Sequence, residues 1–296
     1  MKEHYKYYIA MVFTAILFAG AFIAGKLGVS SFSPVVMTFL RMGLASIIIF
    51  PYMCYKEGSN WKLDRRELIV SLKFGIIGMT FYHILLFNAL KYTTASNASV
   101  INASMPIFTA IFAIFILGEK LSLKRSFFIL TAFIGVVLTI TNWDIGIIFS
   151  SNFNHGDLIM LCAAISWSLY SVFVKKDTKD SSSLKLATYS FLMCTIIVSP
   201  FALKEIFVDK SLSGIAPSAY GAIAYMSIFP TVIGYTTQQL CIKNIGPSTA
   251  ALFINLVPVF SIAMATVILG ETLNPLNLVS AGIIIISVIA FTKTKE

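Results

Sequence analysis

Charge is what this chain has least of. Asp, Glu, Lys and Arg make up 12% of its 296 residues, against roughly 25% in a soluble domain. Thirteen residues are acidic, and none falls deep inside an apolar segment; Glu119 and Glu271 stand at segment ends. That disfavours a proton relay through a carboxylate at membrane depth. It also disfavours an integral-membrane enzyme, which needs His, Asp and Glu gathered near one face. Cysteines number four (Cys54, Cys162, Cys194, Cys241) and are dispersed without a Cys-x-x-Cys spacing, which argues against disulfides and thiolate metal sites. The three histidines, His4, His83 and His155, form no His-x-x-x-His pair. A Gly-x-x-x-x-Gly-Lys-Ser/Thr phosphate loop is missing, so no ATP-driven engine and no cofactor are expected.

Apolar residues are abundant. They account for 57% of the chain, and mean hydropathy is +0.86. A hydrocarbon core about 30 Å thick takes about 20 apolar residues per helix. Ten such stretches are read, at about 7–28, 34–55, 68–90, 95–117, 124–141, 156–175, 185–207, 216–241, 247–269 and 275–292. Backbone polar groups in lipid must be satisfied internally, which leaves helices or a closed barrel. Ile107–Leu117 and Ile283–Phe291 show no polar/apolar alternation, so the expectation is helical.

The chain also repeats itself. Leu117-Gly118-Glu119-Lys120-Leu121 recurs as Leu269-Gly270-Glu271-Thr272-Leu273, 152 residues on. At that offset Lys91 matches Lys243, Ser96 matches Ser248, Pro106 matches Pro258 and Phe108 matches Phe260, with 11 identities over the 31 residues from Lys91 to Leu121. Earlier in each copy the offset is 149: Ala15-Ile16 to Lys26 matches Ala164-Ile165 to Lys175, and Pro51 matches Pro200. Self-similarity at half the length indicates two copies of one unit. It also explains why the N-terminal run, with Lys2 and Lys6 before it and Ala19-Gly20-Ala21 at its end, reads as a helix of the repeat and not as a cleaved leader.

Orientation follows from the basic residues. With a cytoplasmic N-terminus and alternating spans, 16 Lys and Arg lie inside and three, Lys91, Lys204 and Lys210, outside. The net charge of +9 then faces anionic lipid headgroups; no single loop is basic enough for nucleic acid. Five spans per copy is odd, so the second copy is inverted. The loop Glu119-Lys120-Leu121-Ser122-Leu123-Lys124-Arg125 has as counterpart Glu271-Thr272-Leu273-Asn274-Pro275-Leu276-Asn277, with the basic residues gone. The expected fold is therefore an all-α integral membrane protein of ten transmembrane helices in two inverted five-helix repeats, 1–148 and 149–296. Such repeats place a site near the midplane where they meet.

The ten spans, the two Pro-then-Leu-Gly-Glu patterns and Arg41 early in span 2 resemble the EamA family of the drug/metabolite transporters, over nearly the whole chain. The family commonly has Trp-Gly in its first helix; here Phe18-Ala19-Gly20 stands there, and Trp167-Ser168 holds the matching place in the second copy. The resemblance implies transport of small metabolites such as amino acids. Short loops without an organelle signal point to a multi-pass protein of a prokaryotic plasma membrane, and the basic-residue count places both termini in the cytoplasm. The expected partners are a small-molecule substrate and membrane lipid; oligomeric state is not legible.

Candidate substrate-binding residues come in pairs. Span 3 carries Tyr82, His83 and Phe87; span 8 carries Tyr235, Gln238 and Gln239. His83 and Phe87 share one helix face, as do Tyr235 and Gln239, being four residues apart. Polar groups at this depth either face a cavity or bond neighbouring helices. His83 is a candidate proton carrier, or a neutral imidazole that only donates a hydrogen bond. Asn102 and Asn255 sit beside Pro106 and Pro258, where proline frees a carbonyl; they bind substrate or satisfy a kink. Phe18, Phe22, Trp167 and Tyr170 form aromatic walls suited to an apolar substrate, or plain packing.

Three cations remain. Lys26 and Lys175 are read as snorkelling to headgroups. Arg41 lies about 10 Å into its helix at 1.5 Å per residue and is read as structural, needing a helix-end carbonyl or Glu271 as partner. Glu119 and Glu271 end helices, where a carboxylate is unfavourable, so amides at the start of the following helix are the expected partners. The function expected is a non-ATP transporter working by alternating access, with a channel or scaffold subunit as the alternative.

Overall fold

The computed structural model describes residues 2–118, 122–141, 143–144, 154–178, 181–208, 214–245, 253, 256–272 and 274–294. Among these the chain is helical and carries no strand. The runs are α1 (Lys2–Gly28), α2 (Pro34–Glu57), α3 (Arg65–Tyr92), α4 (Ala95–Leu117), α5 (Leu123–Ile140), α6 (His155–Asp177) and α7 (Ser183–Phe207). Next comes α8, as Pro217–Met226, Ser227–Gly234 and Tyr235–Ile245 in succession, then α9 (Val257–Leu269) and α10 (Pro275–Lys293). Six of them, α1 to α4, α6 and α7, are long and apolar enough to cross a membrane, while α5, α9 and α10 hold shorter apolar helices.

Local chemistry sets the boundaries. Ser33, Thr94, Asn154 and Ser182 cap helix starts by accepting from backbone N–H groups one turn on, and Asp64 with Glu67 closes a capping box at α3, satisfying donors that have no intrahelical partner. Gly118 and Gly270 end α4 and α9 with φ of 72° and 67°, the left-handed stop that glycine adopts without steric cost. The repeated Leu-Gly-Glu phrase is thus, physically, a helix terminator used twice.

Two irregularities also come twice or nearly so. Both α3 and α8 widen into a π-turn, at Gly75–Phe81 and Ser227–Gly234, starting 152 residues apart. α4 breaks at Ala103-Ser104, one residue before Met105-Pro106, and α9 resumes at Val257-Pro258 after a turn at Leu256. A proline just inside a helical start is compatible with its missing N–H.

Packing pairs α2 with α7 and α5 with α10; α3 with α6 and α8 with α1; α4 with α6 and α9 with α1. Exchanging each helix for the one five places on turns this set into itself. Small residues permit the contacts: Gly156 of α6 lies against the Thr93 backbone so closely that a Cβ would overlap it.

Polar links tie the helix ends. At one end Lys185 Nζ lies 2.7 Å from Glu67 Oε1 and donates to Asn60 O at 3.2 Å; Ser182 bonds Glu57 and Lys73 pairs with Asp177. At the other, Ser33 bonds Glu205 and Thr93 bonds Asp157. Lys26 does not reach for headgroups. Its Nζ donates to Leu90 O at 2.8 Å and Thr93 O at 2.6 Å, capping the end of α3. The Glu271 carboxylate is likewise not spent on α10. It accepts from Ala95 N at 2.8 Å and from Ser96 N and Oγ at 3.2 and 2.6 Å. A carboxylate at a helix start is favoured by the exposed amides, and here it joins α9 to α4 across the two copies. Glu119 lies outside the described residues.

Candidate functional site: a central cavity

A cavity with about 520 Å3 of empty space, counted out to its mouth, lies where the helix irregularities converge. Phe18 and Phe22 come from α1, Tyr82 from α3, Trp167 from α6, and Tyr235 and Gln238 from α8. Asn102 and Met105 flank the break in α4, and Val257 opens α9. Both copies contribute walls.

Seven of the twelve sequence candidates meet here. The rings of Phe18, Tyr82, Trp167 and Tyr235 form one connected aromatic set. Trp167 stacks on Tyr235 with centroids 5.3 Å apart and 25° between planes, and lies 4.6 Å from Tyr82; Phe18 is 5.4 Å from Tyr235. Such walls are apolar with few polar points. Among these seven the polar points are Asn102, whose Oδ1 lies 3.5 Å from the Tyr82 hydroxyl, Gln238 and the hydroxyls themselves.

Three candidates stand behind the wall. His83 is fully buried, its Nδ1 donates to Met79 O at 2.8 Å, and Nε2 has no partner. A carbonyl only accepts, so Nδ1 carries a hydrogen. Phe87 is buried beside it at 6.2 Å. Tyr170 packs beneath Trp167 at 5.0 Å and against Phe74 at 5.3 Å. Gln239 belongs to α8, with its side chain outside the described residues, and Asn255 lies outside them altogether.

Arg41 is a charged lining residue that sequence reasoning did not put in the site. It is 2% exposed. Its Nε donates to Thr231 Oγ1 at 2.9 Å and its guanidinium lies 5.9 Å from the Phe87 ring centre. The expected carbonyl or Glu271 partner is replaced by this hydroxyl. The Thr231 hydroxyl donates in turn to Met226 O at 2.7 Å, five residues back, a reach that belongs to the π-turn. Among the described residues no group of three or more His, Cys, Asp or Glu could hold a metal.

The uncharacterized transporter YyaM of Bacillus subtilis is 33% identical over 97% of this chain and 93% of its own length. The "Probable amino-acid metabolite efflux pump" of Salmonella typhimurium is 26% identical over 89% of this chain and 87% of its own length. A solved crystal structure superposes with a TM-score of 0.63 at 19% identity, over 95% of this chain and 94% of that one, a likeness of fold. The model of the EamA-like transporter family matches twice, over residues 5–141 and 154–292. With two matches that take in nearly every helix, a cavity walled from both, and transporters as relatives, this chain belongs to the EamA-like transporter family.

Proposed function

We propose that the chain is a secondary carrier of small metabolites, working by alternating access around the central cavity. In this reading residues 1–148 and 149–296 are inverted five-helix units. Ten helices cross a prokaryotic plasma membrane, and both termini are cytoplasmic. The observation that carries it is the cavity itself, which takes Phe18, Tyr82 and Asn102 from one half and Trp167, Tyr235 and Gln238 from the other. A site walled by two units is exposed to one side or the other as they rock against each other.

Two further features support the reading. The principal helix pairings are unchanged by exchange of the halves. The polar links named at the two ends join termini that alternate crossing assigns to one face: Glu57 with Ser182, Ser33 with Glu205, Glu271 with Ser96. The Salmonella relative's name favours an amino acid or related metabolite as cargo, moved outward. Phe18, Phe22, Tyr82, Asn102, Trp167, Tyr235 and Gln238 contact it, with His83, Phe87 and Tyr170 as the backing; Gln239, four residues after Tyr235, and Asn255, beside Pro258, are added by sequence.

The test is counterflow in proteoliposomes. Vesicles preloaded with unlabelled metabolites are given the labelled form outside. Saturable accumulation above equilibrium is expected for at least one amphipathic metabolite. Unsaturable equilibration across a broad panel refutes a carrier and leaves a channel.

A further inference from the structure

Arg41 raises a question of charge. A guanidinium cut off from water is costly unless paired and hydrogen-bonded. This one has a neutral hydroxyl and a ring face as its protein partners. Among the described residues it has no ion pair, and no acidic side chain lines the cavity. Its two terminal nitrogens have no protein hydrogen-bond partner, yet neither is a sealed, unpartnered atom; the open space they reach is the cavity that Arg41 lines. Thr231 is itself locked, its proton committed to Met226 O, so its lone pair holds Nε and leaves the rest of the planar fork turned inward.

Resting on the carrier reading above, we infer that Arg41 is the seat of a substrate carboxylate. The cavity accordingly selects a small molecule with one carboxylate and an apolar body, free acid or zwitterion, and rejects cations. A guanidinium fork matches the two oxygens of a carboxylate. The surrounding Phe18, Phe22, Trp167 and Tyr235 accept the apolar body, while Asn102 and Gln238 are free to meet whatever polar group it carries. A cationic substrate would meet Arg41 with no acidic side chain at the wall to offset it. The anion also supplies the counter-charge that the protein withholds, so the loaded cavity is electrically satisfied and the empty one is not.

Three ligands of one skeleton test this: 3-phenylpropanoate, 3-phenylpropanamide and 3-phenylpropylamine, titrated calorimetrically into the purified full-length chain in nanodiscs. The wild-type protein should prefer the carboxylate to the amide by about tenfold to a hundredfold, the range of a charge-assisted hydrogen bond, and show no binding of the amine. Arg41→Gln should lose that preference while binding the amide as before, and Arg41→Lys should keep part of it. Equal binding of acid and amide by the wild type, binding of the amine above the acid, or binding of none overturns the inference. The wild-type comparison decides even if both variants fail to fold. Saturable counterflow of other metabolites in the same preparation would then leave the carrier reading standing, whereas its absence would remove that reading as well.

Discussion

Glu271 and Ser96 stand 175 residues apart in the chain and share a hydrogen bond of 2.6 Å. With the Ala95 and Ser96 amides on the same carboxylate, the end of α9 is stapled to the start of α4. Losing the staple orphans two helix-start donors and a hydroxyl. Glu271→Ala should lower the free energy of unfolding by about 1–3 kcal/mol, read as a fall in Tm by scanning fluorimetry in detergent. Glu271→Gln should lose less. A Tm within error of wild type in both would show that the contact contributes nothing.

The opposite end offers a cleaner energetic test. Lys185 and Glu67 form a pair in which each side chain is 9% exposed. Lys185→Met alone leaves a buried carboxylate and should cost about 3–5 kcal/mol, whereas pairing it with Glu67→Leu should restore most of the loss. A double-mutant cycle on the Tm scale measures the coupling. Additive single effects would contradict a buried pair.

Cavity and backing residues should separate in kinetics. Gln238→Ala and Asn102→Ala should raise KM in counterflow by about three- to thirtyfold, the loss of one or two neutral hydrogen bonds, without moving Tm. His83→Ala removes an enclosed ring and its bond to Met79 O, so Tm should fall along with flux. A stable His83→Ala with normal Tm and impaired flux would put the imidazole in the cavity after all.

Topology can be read by labelling. In a background with Cys54, Cys162, Cys194 and Cys241 replaced, Asn60→Cys and Thr178→Cys should react with a membrane-impermeant maleimide from the same side, and Tyr92→Cys from the other. Labelling of positions 60 and 178 from opposite sides would dismantle the inverted-repeat reading.

Much of this was legible in the residues. Gly118 and Gly270 announced helix ends because a left-handed stop requires glycine; Phe18 and Trp167 announced the wall because they coincide at offset 149, and Tyr235 because it meets His83 at offset 152. What escaped notice did so for physical reasons. Arg41 looked structural because a sequence shows a cation and not whether an acid lies beside it. Glu271 was paired in expectation with the next helix, since chain proximity is the only proximity a sequence displays; its partner belongs to the other copy. Lys26 has a stem long enough for a headgroup or a helix end, and the carbonyls of α3 were nearer. The π-turns demand no particular residue and left no trace.

Those wide turns at Gly75–Phe81 and Ser227–Gly234 hold the phase of everything after them. One residue spans about 100° of an α-helix, and a π-turn absorbs one surplus residue without breaking the rod. Removing a single residue from either stretch would let the coil tighten to the ordinary pitch and swing Tyr82 or Tyr235 a quarter turn and more off its present bearing. A carrier built this way keeps its aim by a deliberate miscount, and the shortest possible deletion is the one that would blind it.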